Sequence, residues 1–428
     1  MKFIFAENMD LVDPKYDFIK DRNSPDREPY WSDVYPHELL GFAPYDGLLV
    51  SRAIIGGHLK AGKYSESQAM RFRRIGARDF LRYSEKDYPN SVIWGDCGAF
   101  AYAKEEYPPY SVDDIVEFYD DGRFTHGCSV DHIIFDFYES DYELTFDLSE
   151  PRRRQEICIA NADEFFTKSK KVIGEKFTPV GVVHGWSPQT MASAAVDLIK
   201  MGYKYLALGG MVPLNSKQIM SALNAVREVI PKETKLHILG FAKANTCEEF
   251  LGKGIDSIDT TSPLLQAFKD VRRNYHVVTA EGYDFFGAIK IPPALENNGL
   301  KKLVQSGQID LELLLGFEKA AIKSVRSYAS YKATVSEVVE SLRAYWELVF
   351  KGKAKVSSVA SFNEIERQVA ATVRTLESRP WETCDCPICE KHGVEVLIFR
   401  GNNRNRRRGV HNLFVYGRYL KKIQGITV

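Results

Sequence analysis

The strongest constraint on this chain is a repeat in its first half, where short apolar runs alternate with capped helical segments. The runs are residues 2–6, Leu48-Leu49-Val50, Val92-Ile93-Trp94, Ile133-Ile134-Phe135, Val180 to Val183, Tyr205 to Leu208, Leu236 to Leu239 and Gly254 to Asp259. Runs this short and this apolar read as buried parallel strands. Helix starts fall between them: Ser65-Glu66-Ser67-Gln68, Ser111 with Asp114, Ser149 with Pro151, Ser187-Pro188, Ser216, and Thr246 with Glu249. Eight strand-and-helix units in roughly 250 residues predict an α/β fold, a closed (β/α)8 TIM-like barrel. An open doubly wound sheet is the alternative; it calls for a Gly-rich phosphate loop, and no G-x-G-x-x-G occurs.

Four regions are expected: 1–45, an N-terminal strand and irregular segment; 46–290, the catalytic barrel; 291–378, a helical insertion; and 379–428, a zinc-binding and basic subdomain. The insertion carries apolar residues at helical spacing, such as Val335, Val338, Val339, Leu342 and Trp346, which read as core. No apolar run reaches the roughly 18 residues of a membrane span, and the start Met1 to Glu7 is too soon polar for a signal peptide. The expected compartment is the bacterial cytoplasm, including that of a phage-infected cell. The net charge is +0, yet charge is segregated: no acidic residue follows Glu395, while Arg404, Arg406, Arg407 and Arg408 cluster beyond it. That cluster is a candidate nucleic-acid contact, with a solvated loop as the alternative.

Chemistry-bearing residues recur where strands end. Asp96, Asp136, His184, Gly209-Gly210 and Asp259 each follow a different predicted strand. In a barrel such ends converge on one mouth. Two carboxylates could attack and carry a proton, a third could read donors, and a histidine with exposed amides could hold an acceptor. Each residue alone also has a structural reading: Asp96 or Asp259 as a helix cap, Asp136 in an ion pair, His184 in the core, Gly209-Gly210 as a turn or phosphate cradle. Of the 7 cysteines, Cys384, Cys386 and Cys389 are crowded together, and with His411 they suit a structural Zn²⁺; His392 is the alternative fourth ligand.

These motifs stand in the order found in tRNA-guanine transglycosylases. Trp94-Gly95-Asp96-Cys97-Gly98-Ala99-Phe100 resembles the family's Asp-Ser-Gly-Gly-aromatic motif, and Phe135-Asp136 its second aspartate. Gly181 to Gly185 resembles Gly-x-x-Gln-Gly, with His184 in place of glutamine, and Ala207 to Met211 resembles the Gly-Gly-Leu segment. Gly254 to Asp259 resembles the nucleophile strand, and the cysteine cluster with His411 the zinc site. After the nucleophile, Pro263 is followed by Leu264-Leu265 rather than the tRNA-serving Pro-Thr-Arg. That departure, the helical insertion and the opening Ala6 to Asp10 are similar to the DpdA branch, which puts 7-deazaguanine bases into DNA.

The resemblance implies a pentosyltransferase that exchanges guanine in DNA for a 7-deazaguanine base, 7-cyano-7-deazaguanine above all. Asp259 would be the nucleophile and Asp96 the proton carrier. Asp136, His184, Gly209, Gly210, Met211, Phe100 and Cys97 would form the base pocket. Implied partners are DNA and the free base, with a helper ATPase and a homodimer left open and no membrane. Alternatives are an enzyme acting on tRNA, a non-catalytic nucleic-acid-binding subunit of the same fold, and an unrelated barrel enzyme holding a phosphate at Gly209-Gly210.

Overall fold

The computed structural model describes the chain except residues 57–61, 140–146, 242, 270–271, 352–357 and 427–428. Two compact units are present: Met1–Asp10, Tyr45–Thr261 and Leu420–Val428 form the first, Leu11–Pro44 and Ser262–Tyr419 the second. The first is the expected closed barrel of eight parallel strands: β1 (Lys2–Ala6), β2 (Gly47–Ser51), β3 (Val92–Asp96), β4 (His126–Cys128), β5 (Thr178–Val183), β6 (Tyr205–Leu208), β7 (Lys235–Ile238) and β8 (Ser257–Thr260). The seam closes with Lys2 opposite Ser257 and Ile4 opposite Asp259.

Alternation along each strand sends every second residue inward. Ile4, Leu49, Trp94, Val180, Val182, Tyr205 and Ala207 pack together in the lumen. Trp94 stacks on His126, ring centroids 5.0 Å apart, and on His237 at 4.4 Å. The same parity carries Asp96, two residues beyond Trp94, and Asp259, two beyond Ser257, to the inner face at the C-terminal end.

One expected strand is wrong. Ile133-Ile134-Phe135 is irregular, and the fourth strand lies earlier, at His126-Gly127-Cys128. Ile133 and Ile134 are apolar because they are buried as part of a loop, not because they are paired. The true strand has no branched residue because Tyr119, on the helix Val112–Asp121, lies against it. A Cβ on Gly127 would come within 2.4 Å of the Tyr119 ring, and one on Gly95 within 2.2 Å. The Tyr119 hydroxyl donates to the Cys128 carbonyl at 2.8 Å.

The capping boxes at Ser65/Gln68 and Ser111/Asp114 form as expected. The one at Thr246/Glu249 does not: Ala244–Phe250 is a 3-10 helix with Thr246 inside it, its hydroxyl 3.0 Å from that of Ser216.

In the second unit, β9 (Tyr275–Thr279) and β10 (Gly282–Phe286) make an antiparallel hairpin, and β11 (Ile289–Lys290) pairs in parallel with β12 (Ile398–Phe399). Helices Leu311–Ala329, Val335–Lys351 and Ser358–Ser378 pack consecutively. Val338, Leu342 and Trp346 are buried there, as their spacing predicts.

Candidate active site

Asp259 is 7% exposed. Its Oδ1 accepts from the Gly240 backbone N–H at 2.8 Å and lies 3.0 Å from His237 Nε2. His237 Nδ1 lies 2.6 Å from Ser257 Oγ, which lies 2.7 Å from the Tyr205 hydroxyl. One assignment satisfies the whole chain: Tyr205 donates to Ser257, Ser257 to His237 Nδ1, and His237 Nε2–H to Asp259. Both donors reach the same oxygen, so Oδ2 keeps its lone pairs, with no partner among the described residues. A carboxylate held this way is oriented for attack.

Asp96 accepts from the Ser51 side chain and the Gly98 backbone. Burial, and after it the negative charges of Asp131 and Asp259, raise its pKa to about 7. It therefore changes charge near neutrality, as a proton carrier must.

The third acid beside these two is Asp131, not the expected Asp136. Asp131 sits three residues beyond β4 and is buried. Its Oδ2 lies 2.6 Å from His184 Nε2, and its Oδ1 accepts from the Cys97 thiol at 2.8 Å. Burial and Asp131 push the Cys97 thiol well up, so it stays a neutral donor. Tyr102 closes the group by donating to the Asp131 carbonyl at 2.9 Å. Asp136 is exposed in the irregular segment after β4. Its neighbours nevertheless reach expected site residues: Phe135 meets Phe100 edge-on at 5.8 Å, and the Ile134 carbonyl lies against Gly210.

His184 is buried, and its Nδ1 has no partner among the described residues. The glycines beside it are required by contact: a Cβ on Gly209 would come within 2.4 Å of the imidazole, and one on Gly210 within 2.5 Å of the Ile134 carbonyl, with φ at +76°. Met211 is buried and Phe100 exposed.

Sequence reasoning missed Asp131 and His237. His237 carried a usable signal, since strand parity places it on the inner face with Ser257 and Asp259. Asp131 carried none once the fourth strand was set too late.

In the second unit, Cys384, Cys386, Cys389 and His411 place four ligand atoms within 4.8 Å of one another, a set that could hold a metal ion. His411 Nδ1 lies 3.3 to 3.5 Å from the three sulfurs, while Nε2 donates to the His276 carbonyl at 2.9 Å. That fixes the tautomer a ligand histidine needs. His392 is not in the cluster; it packs on Phe18.

The arginine-rich tail is not the expected nucleic-acid surface. Arg404, Arg407 and Arg408 are at most 1% exposed, within the helix Asn402–Ile423. Arg404 pairs with Asp21 and Glu395, Arg407 donates to the Asp13 carbonyl, and Arg408 to the Ala267 carbonyl at 2.7 Å. Arg406, half-buried, donates to the Leu11 carbonyl at 2.6 Å. Buried and engaged in this way, the guanidiniums of Arg404, Arg407 and Arg408 are closed to phosphates.

No family model matches the chain. Over 418 residues it is 37% identical to a DNA-guanine transglycosylase from Salmonella montevideo, spanning 97% of this chain and 95% of that relative. The chain belongs to the DNA-guanine transglycosylase family. It is also 25% identical over 162 residues to a queuine tRNA-ribosyltransferase from Psychrobacter sp. (strain PRwf-1), spanning 37% of this chain and 40% of that relative. In this chain, then, one barrel mouth holds a carboxylate oxygen and a buried histidine nitrogen without partners among the described residues, beside a second acid whose pKa is raised to about 7.

Proposed function

We propose that this protein exchanges guanine in DNA for a 7-deazaguanine base, with 7-cyano-7-deazaguanine as the incoming base, through a glycosyl ester on Asp259. The observation that carries this reading is the oriented Asp259 carboxylate, its Oδ2 unoccupied, beside an acid whose pKa lies near 7. The target nucleotide leaves the stack or is taken from a single strand. Asp259 Oδ2 attacks C1′, the glycosidic bond breaks, and protonated Asp96 gives its proton to the departing guanine. The ring N–H of the incoming base then returns a proton to Asp96, its nitrogen attacks C1′, and Asp259 is released. C1′ has oxocarbenium character, which suits a carboxylate nucleophile, as in retaining glycosidases.

In this reading His184, doubly protonated and paired with Asp131 through Nε2–H, holds O6 with Nδ1–H, the Gly209-Gly210 backbone packed alongside. Asp136 reads the N1–H and amino edge from its loop, Phe100 stacks on the base, Met211 lines the pocket for the 7-substituent, and Cys97 steadies Asp131. Zn²⁺ is the ion the Cys384, Cys386, Cys389 and His411 set fits, by three thiolates and one imidazole; bound there it would tie the segment after residue 383 to β9. The compartment we infer is the bacterial cytoplasm; no described helix is long and apolar enough to cross a membrane. A helper ATPase and a homodimer rest on the resemblance alone.

The test is to incubate the protein with labelled guanine and either duplex DNA or bulk tRNA, then with the 7-cyano base, and to analyse nucleosides by mass spectrometry. Exchange into DNA is expected, along with a denaturant-stable protein–DNA adduct that Asp259→Asn abolishes. An adduct persisting in Asp259→Asn would remove the nucleophile, and exchange confined to tRNA would move the substrate.

A further inference from the structure

Within the second unit a cavity of about 420 Å³ lies beside the helix Ser358–Ser378. Lys269, Arg272, Lys290 and Arg367 line it, with Glu364 the one carboxylate among its described lining residues. Arg367 sits 3.7 Å from Glu364, a loose pair with the Arg367 side chain 71% exposed.

The wall is unusual for a folding element. Glu364, Arg367, Gln368, Ala371 and Thr372 repeat at i, i+3, i+4, i+7 and i+8, the spacing of one helix face. A face at that spacing is ordinarily apolar, because it packs on a core. Here Gln368 is 5% exposed and Thr372 3% exposed, so polar groups sit where burial favours apolar ones. Gln368 Nε2 donates weakly to Glu364 at 3.3 Å, while Oε1 is buried with no partner among the described residues. An unsatisfied buried acceptor is destabilising, and a ligand's donor would recover that loss. Opposite, the frame is stiff: Trp346 Nε1 donates to the Lys290 carbonyl at 2.6 Å, and Lys290 lies on β11, paired with β12.

A ligand for this cavity has a negative group for the cations and a donor for Gln368 Oε1. Its volume falls in the range of small-molecule sites, about 300–1,000 Å³, enough for one nucleotide. We propose that the cavity binds a phosphodiester-linked nucleotide of the DNA strand, its phosphate at Lys269, Arg272 and Arg367 and a base donor at Gln368. The proposal rests on DNA being the substrate. It gives the DNA a seat on the helical insertion, in place of the tail arginines, whose guanidiniums are engaged internally.

The experiment is fluorescence anisotropy of a labelled duplex across a salt series. It compares wild type, Lys269→Gln/Arg272→Gln/Arg367→Gln, Gln368→Leu and, as a control outside the cavity, Lys319→Gln. The triple variant is expected to bind on the order of tenfold more weakly at low salt, its slope of log affinity against log salt shallower by about one per phosphate lost. Gln368→Leu should weaken binding with the slope unchanged, and Lys319→Gln should bind like wild type. Melting curves matching wild type show that the variants fold. An unchanged slope in the folded triple variant overturns the proposal. So does deoxyguanosine monophosphate that protects the cavity arginines from chemical modification when duplex DNA does not, which would make the site one for a free nucleotide. Guanine exchange by the wild type is assayed separately: its absence would sink the reading of the barrel, while the salt series would still judge the cavity.

Discussion

His237 touches no substrate in the reaction above; it sets the direction in which Asp259 points. Phenylalanine there keeps the stack on Trp94 but removes the bond to Oδ1. His237→Phe should lower kcat by about 10-fold to 100-fold with the KM for DNA little changed, the scale of a misoriented reactive group. His237→Gln, whose amide can donate, should recover part of the loss, which a purely structural role would not allow. Asp96 makes a second prediction, because in the proposed reaction it first gives a proton and later takes one. In the free enzyme it is protonated below about 7, so kcat/KM for DNA should fall as pH rises through about 7. In the glycosyl-enzyme the Asp259 charge is gone, which lowers the Asp96 pKa. The kcat/KM for the incoming base should therefore fall on the acid side, at a lower pH. Glu7 is also raised to about 7, by burial and by Asp10, and Glu7→Gln serves as the control that leaves both limbs in place. The same shift has a stability consequence. Between about 4 and 7 native Asp96 binds more protons than the unfolded chain, so its contribution falls as pH rises. Asp96→Asn should raise the melting temperature at pH 8, by on the order of 2 kcal/mol in stability, and leave it unchanged near pH 4.

At the level of elements, the tail helix Asn402–Ile423 illustrates how charge density misleads. Arg404 sits between Asp21 and Glu395 with its guanidinium fully buried. Arg404→Met would leave Asp21 to Arg400 alone and Glu395 to Arg326 alone, removing buried charge-assisted hydrogen bonds at a loss of about 1–3 kcal/mol, visible as a lowered Tm. A phosphate contact would instead weaken DNA binding with the Tm unmoved, so the two measurements separate the roles. The strand β4 errs in the other direction. Its His-Gly-Cys sequence has none of the branched residues that mark a strand, because Tyr119 occupies the space their side chains would need. Apolar Ile133 and Ile134 read as the strand instead, and Asp131 was passed over between the two. Gly209 follows the same logic of close approach: Gly209→Ala should displace the His184 ring and lower exchange, while circular dichroism stays that of the wild type.

For the molecule as a whole, the four metal-fitting residues anchor a separate unit from the one that carries the acids. Metal removal by a strong chelator should lower the melting temperature and speed amide exchange in β9 and in the helix Asn402–Ile423. Metal content by mass spectrometry would identify the ion. The barrel, the Asp259 strand end and the cysteine cluster were legible from the chain alone, since each is written in residues close in sequence. Periodicity reports which face is buried, a terminal carboxylate follows its strand, and three thiols within six residues already share a location. The partners of those residues were decided only by tertiary structure. Asp131 reaching His184 and Cys97, His237 reaching Asp259, and Asp21 reaching Arg404 join positions that are 22 to 383 residues apart. An arginine or aspartate looks the same in sequence whether it faces water, a substrate or a buried opposite charge, because the energy that separates those fates comes from neighbours brought in by the fold.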